Sequence, residues 1–182
     1  MESREIKQQM KMSYYQLVQY LKEKYGKVGG DYFYNNINFN QNQKIKRIEE
    51  GLYIHHIDEY IVERLSDKMV ACQNNYCYQK ADRLVYCNVF EHLILHIKIF
   101  ESHTPDCFGA GGVFELLSEI MAFYKNFSFK KCDYKLKSLS LIKDNINDFE
   151  SVFTYAMHVF DDNGKYGQEL LDNMMKNMIQ YL

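Results

Sequence analysis

The first clear apolar rhythm comes early, where Tyr14, Leu17, Val18 and Leu21 recur at helical spacing with Lys and Glu between them. It predicts a helix over residues 3–24, stopping near Tyr25-Gly26, with Val28-Gly29-Gly30 as a breaker. Residues 31–43 are rich in Asn, Tyr and Phe and read as a loop, followed by a charged stretch at 44–50. Gly51 opens a short apolar run, Leu52-Tyr53-Ile54, read as a strand that ends at His55-His56. Residues 57–80 read as a long connection with a helical turn of its own, and Arg83 to Cys87 as a second strand. A helix follows over 89–101, with Phe90, Leu93, Ile94 and Ile97 on one side.

Pro105 and the Gly109–Gly112 run end that unit, the glycines reading as a hinge or turn. Helices are predicted over 113–125, 145–160 and 167–182, the last two parted at Asp161-Asp162-Asn163-Gly164, while 126–143 stays ambiguous. The expectation is an α+β fold, mostly helical and in one domain. Residues 1–50 supply an N-terminal helix and loop, 51–101 a strand–loop–strand–helix unit, and 102–182 a helical part packed on it. No repeat and no dividing linker interrupts the chain.

Composition narrows the classes. The 182 residues suffice for one core, and a net charge of −2 argues against a protein that coats nucleic acid through bulk positive charge. The charge is uneven. Residues 125–143 hold six lysines against one aspartate, and 144–182 hold seven acids against two lysines. These are two solvated faces, or a basic docking strip beside an acidic partner-facing tail. The five cysteines form no CxxC pair and no signal peptide precedes them, which points to reduced thiols in a cytoplasm.

Chemistry concentrates in four histidines. His92 and His96 are spaced i, i+4, which sets both imidazoles on one helix face a turn apart, as two ligands of one divalent cation require. His55 and His56 are adjacent on a strand and so point to opposite faces. One can complete the metal site while the other serves a substrate water, a division suited to metal-assisted phosphodiester hydrolysis. Asp58 and Glu59 are candidates to orient a histidine. Tyr76, Tyr78 and Tyr86 with Lys80 and Arg83 offer stacking and clamping groups for a single strand, and equally ordinary core or rim positions. His103 and His158 are isolated.

GLYIHHIDE followed by ADRLVYCNVFEHLILHIKI resembles the HNH, or ββα-metal (His-Me finger), endonuclease family, especially members with a double His and an EHxxxH helix. The resemblance covers about 50 residues. It implies a ββα-metal unit with His55, His92 and His96 as ligands of Mg2+, Mn2+ or Zn2+ and His56 as general base. The family's central Asn, which tethers the loop that aims the base, falls on Arg83 here, and Asn88 is off register. Arg83 is therefore a candidate member of the catalytic set and also a departure that bears on activity.

The flanks, YLKEKYGKVGGDYF and YQKADRLVYCNVFEHLILHIKI, resemble a small-protein family of Gram-positive bacteria and their phages, some of whose members are anti-CRISPR proteins. That resemblance implies a type II CRISPR nuclease as partner, its guide RNA as the strand cut, and the host cytoplasm as the setting. Three readings stand at this level: a metal-dependent endonuclease acting on RNA or DNA, a non-catalytic inhibitor on a degenerate HNH scaffold, and a structural zinc-binding interaction domain.

Overall fold

The computed structural model describes residues 4–103, 106–124, 138–140, 142–164, 168, 169 and 172. Most of the predicted helix 167–182 and the lysines at 130, 131, 135 and 137 lie outside the described residues, as does Cys132.

The helix predicted over 3–24 is two helices, α1 (Arg4–Lys11) and α2 (Tyr14–Tyr25). Ser13 has extended backbone and makes a capping box: its hydroxyl accepts from the Gln16 amide, and the Gln16 side chain accepts from the Ser13 amide at 2.8 Å. The break makes Tyr14 the first residue of α2.

Residues 28–45 are more than a polar loop. Phe33 and Gln41 form an isolated antiparallel bridge, and Val28, Tyr32, Phe33, Phe39 and Ile45 bury themselves in a second core with Leu84 and Tyr86. Tyr86 is thus a core residue whose hydroxyl donates to the Ile45 carbonyl, and Tyr76 donates to the Phe33 carbonyl. Neither supplies a free stacking platform.

Two strands, β1 (Tyr53–His56) and β2 (Leu84–Cys87), pair antiparallel, with His55 opposite Val85 and His56 opposite Leu84. The first strand ends on the two histidines, as the sequence predicts. The pleat sorts the hairpin by face. Val85 and Cys87 join the main core, whereas Leu84 and Tyr86 face the second one. Between the strands, residues 57–83 hold the short helix α3 (Lys68–Ala71) and 3-10 turns at Ile57–Tyr60, Tyr76–Gln79 and Ala81–Arg83.

Helix α4 (Val89–His103) is the central element, packed on the hairpin and on α1, α2, α5 (Ala110–Tyr124) and α6 (Ile146–Asp162). Being surrounded, it is apolar on more than one side: Leu95, Ile99 and Phe100 are as buried as Leu93 and Ile94. Asn88 caps it, its side chain accepting from the Glu91 amide while Glu91 accepts from the Asn88 amide. Glu91 also takes hydrogen bonds from Gln9 of α1 (3.0 Å) and Lys24 of α2 (2.8 Å), so one buried carboxylate ties three helices.

The glycine run is not a hinge. Gly109 alone turns, at φ +88°, and Gly111 and Gly112 lie in the first turn of α5, which starts earlier than predicted. No helix among the described residues is long and apolar enough to cross a membrane. The architecture is α+β and mostly helical, with one two-stranded antiparallel sheet among the described residues.

Candidate metal centre

β1 and α4 bring three imidazoles together. One nitrogen each of His55, His92 and His96 lies within 4.8 Å of the others, and the Nε2 atoms of His92 and His96 are 3.2 Å apart. The i, i+4 spacing of α4 sets the second distance, and docking of the hairpin on α4 sets the first. The predicted ligand trio is thus one cluster, with ring centroids 4.8–5.2 Å apart.

A residue from α2 fixes the tautomer of His55. The Tyr14 hydroxyl donates to the Ile57 carbonyl at 2.7 Å and lies 3.0 Å from His55 Nε2. Having given its proton to Ile57, the hydroxyl accepts from Nε2–H, so His55 Nδ1 keeps its lone pair. That Nδ1 is buried and has no hydrogen-bond partner among the described residues, and it is the atom on the Glu59 side, 3.5 Å from Oε2. An unpartnered buried nitrogen of this kind costs about 1–3 kcal/mol, which a bound cation offsets. The Nδ1 atoms of His92 and His96 are also unpartnered, but these are the nitrogens remote from the pair contact.

Burial governs the protonation states. It pushes His55 and His92 well below the ordinary imidazole range, helped by the neighbouring imidazoles, and holds His96 down at about 4. All three are neutral at pH 7, the form that binds metal. Glu59 moves the other way, up to about 8, through burial and the nearby Glu63 and Glu115, against a hydrogen bond from the Leu65 amide. Its Oε2 also lies 3.6 Å from His96 Nε2.

His56 sits on the opposite face of β1, against the Tyr32 ring at 4.4 Å. Its Nε2 is 2.9 Å from Gln79 Oε1, and the Gln79 amide nitrogen donates to the Leu65 carbonyl, which fixes the amide's orientation. His56 Nε2 therefore donates and Nδ1 holds the lone pair. Burial lowers its pKa to about 4, with Gln79 opposing. His56, His92, His96 and Glu59 line one cleft of about 530 Å³.

Arg83 lies elsewhere. Its guanidinium forks onto the fully buried Asp58 carboxylate in the turn after β1 (Nε to Oδ2 2.7 Å), and it does not line the cleft. Asp58 is thereby occupied, and of the two acids only Glu59 approaches a histidine.

Sequence reasoning missed Tyr14, Gln79, Tyr32 and Gly112. A Cβ at Gly112 would overlap the His96 ring at Nδ1, Cγ and Cε1, so only glycine lets α5 approach that imidazole. No family model, curated protein or solved structure matches the chain.

Proposed function

We propose that this chain is a divalent-metal-dependent endonuclease of the HNH, ββα-metal type. The observation that carries the reading is a three-imidazole cluster, two of whose members, His92 and His96, line the same cleft as a separate, neutral His56. His55, His92 and His96 would hold the cation, which when bound stabilises charge on a scissile phosphate and its leaving oxygen. His56 takes a proton from water at Nδ1, and Gln79 holds the ring in that tautomer. Such a base contributes about 10²- to 10⁴-fold. Arg83, at the position of the family's Asn, ties Asp58 and so tethers the turn after the histidine pair, which makes it a positioning residue.

The biological target in this proposal is the guide RNA of a type II CRISPR nuclease, so that cleavage inhibits the nuclease. The sequence resemblance supports it, and so does the net charge of −2, which leaves free nucleic acid poorly bound without a protein to deliver it. The test incubates purified protein with free guide RNA, guide-loaded type II nuclease and duplex DNA, in Mg2+, Mn2+ or Zn2+, with and without EDTA. EDTA-sensitive guide cleavage, fastest within the loaded complex, is expected. Intact nucleic acid under every condition would reject the nuclease.

One observation favours a second reading. The cleft carries Glu59, Glu63, Glu115 and Glu119 against Lys46 and Arg64, a lining that repels a polyanion. A non-catalytic inhibitor or structural zinc domain on the same scaffold would bind metal and the CRISPR nuclease without cutting.

A further inference from the structure

We infer that Glu59 is a fourth protein ligand, making the centre a three-histidine, one-carboxylate site for a transition-metal dication of the zinc class. The inference rests on the metal-site reading above; four protein ligands close a tetrahedral site, so phosphodiester cleavage at it would need a fifth position or the release of Glu59.

The geometry points there first. Ligand atoms about 2.0–2.2 Å from one ion at tetrahedral angles lie about 3.3–3.6 Å from each other. His92 Nε2 to His96 Nε2 is 3.2 Å, His96 Nε2 to Glu59 Oε2 is 3.6 Å, and Glu59 Oε2 to His55 Nδ1 is 3.5 Å. The two carboxylate distances exceed an ordinary hydrogen bond. Glu59 therefore stands beside two histidines without bonding to either, which is the arrangement of atoms sharing an ion. It meets two of the three and lies outside the group within 4.8 Å that the imidazoles form, so a short movement of its side chain toward His92 would complete the four-ligand set.

Chemistry agrees. The Glu59 side chain is 10% exposed, and among the described residues no lysine or arginine pairs with it, whereas its neighbour Asp58 has Arg83. A buried carboxyl without a cationic side chain keeps its proton, and a cation placed beside it would take the proton's place. The unpartnered, fully buried Nδ1 of His55 is aimed at the same point. The backbone supplies the placement. β1 ends at His56, and the 3-10 turn Ile57–Tyr60 brings Glu59 back beneath His55, four positions along. Three imidazoles with one carboxylate suit Zn2+ and related cations, not Mg2+, which prefers an all-oxygen shell.

The experiment is Zn2+ titration of the full chain by calorimetry, with millimolar Mg2+ as competitor, for the wild type and for Glu59→Gln and Glu59→Ala, with circular dichroism confirming each fold. One Zn2+ per chain is expected, undisturbed by Mg2+. Both variants should lose more than about 100-fold in affinity, beyond the roughly 10- to 100-fold that losing an outer partner costs. Added acetate should restore affinity to Glu59→Ala and leave the wild type unchanged. A smaller loss in the same-sized Glu59→Gln, or no acetate rescue, would overturn the inference while the three-histidine site stands. Tight Zn2+ binding with the Glu59 dependence intact, in a protein that never cleaves, would uphold it and remove the nuclease reading.

Discussion

Arg83 and Asp58 form a forked ion pair in which the carboxylate is fully buried and the guanidinium side chain is 43% exposed. The pair joins the start of β2 to the turn leaving β1, 25 residues away in sequence. Arg83→Ala strands the Asp58 charge, at a cost of about 1–3 kcal/mol once solvent screening at the exposed guanidinium is discounted. Asp58→Asn with Arg83→Ala should cost less than the sum of the single changes. Urea unfolding of the double-mutant cycle measures the coupling, and strict additivity would show that the fork does not hold the turn.

His56→Ala should abolish cleavage while Zn2+ affinity stays within about tenfold, because His56 contacts Gln79 and Tyr32 and not the imidazole trio. His92→Ala and His96→Ala should lose metal and cleavage together. Single-turnover rates beside metal titrations separate the two classes. Wild-type cleavage by His56→Ala would remove it from the mechanism.

Gly112→Ala places a methyl against the His96 ring, which must swing away or force α5 off α4. The expected result is a stability loss of about 1–3 kcal/mol and weaker metal binding. Gly111→Ala, one residue earlier and with open space at its Cβ position, should leave metal binding unchanged and cost no stability, a helical Ala being favoured over Gly by about 0.5–1 kcal/mol. Thermal melts and metal titrations of the pair check the claim.

Tyr14→Phe removes the hydroxyl that accepts from His55 Nε2–H and frees the imidazole to switch tautomer. Metal affinity should fall about 10- to 100-fold, with the fold kept. Nitrogen-15 imidazole spectra report the tautomer directly, and an unchanged spectrum would deny Tyr14 this role.

Without metal, the protein should be labile to acid. His55, His56, His92 and His96 all have pKa values lowered by burial, two of them to about 4. Below about pH 6.5 the unfolded chain takes up protons that these folded imidazoles refuse, so stability falls as pH drops toward 4. Glu59 acts in the opposite sense, since its raised value lets the folded chain hold a proton that the unfolded chain has lost. Between pH 7.5 and 6.5 the carboxylate nearly offsets the imidazoles, and below 6.5 the four imidazoles outweigh it. Urea midpoints should change little from pH 7.5 to 6.5 and decline from 6.5 to 5.5, and no decline over the lower interval would contradict the neutral, buried cluster.

Much of the site was legible because its main signals are local. His92 and His96 share a helix face by spacing alone, and a strand forces His55 and His56 apart. The residues that tune these four come from afar: Tyr14 is 41 positions from His55, and Gln79 is 23 from His56. No short-range pattern links such pairs. The break at Ser13 was readable, since Ser followed by Gln three positions on is a capping signature, but the surrounding apolar rhythm hid it. Gly112 left no signal, because what it provides is the absence of a side chain beside a ring that only docking brings near.

The connection between β1 and β2 has a consequence in time. With residues 57–83 between its strands, the hairpin cannot close as a local turn, and that long-range pairing is slow to form. A chain leaving the ribosome displays His55 and His56 early, but their partners on α4 follow some 40 positions later, and the glycine that seats His96 comes last. Between the emergence of His96 and that of Gly112, the nascent chain carries every histidine of the centre without the helix that packs against His96. A cation taken up by this cluster would therefore find its complete seat only once the central helix is covered.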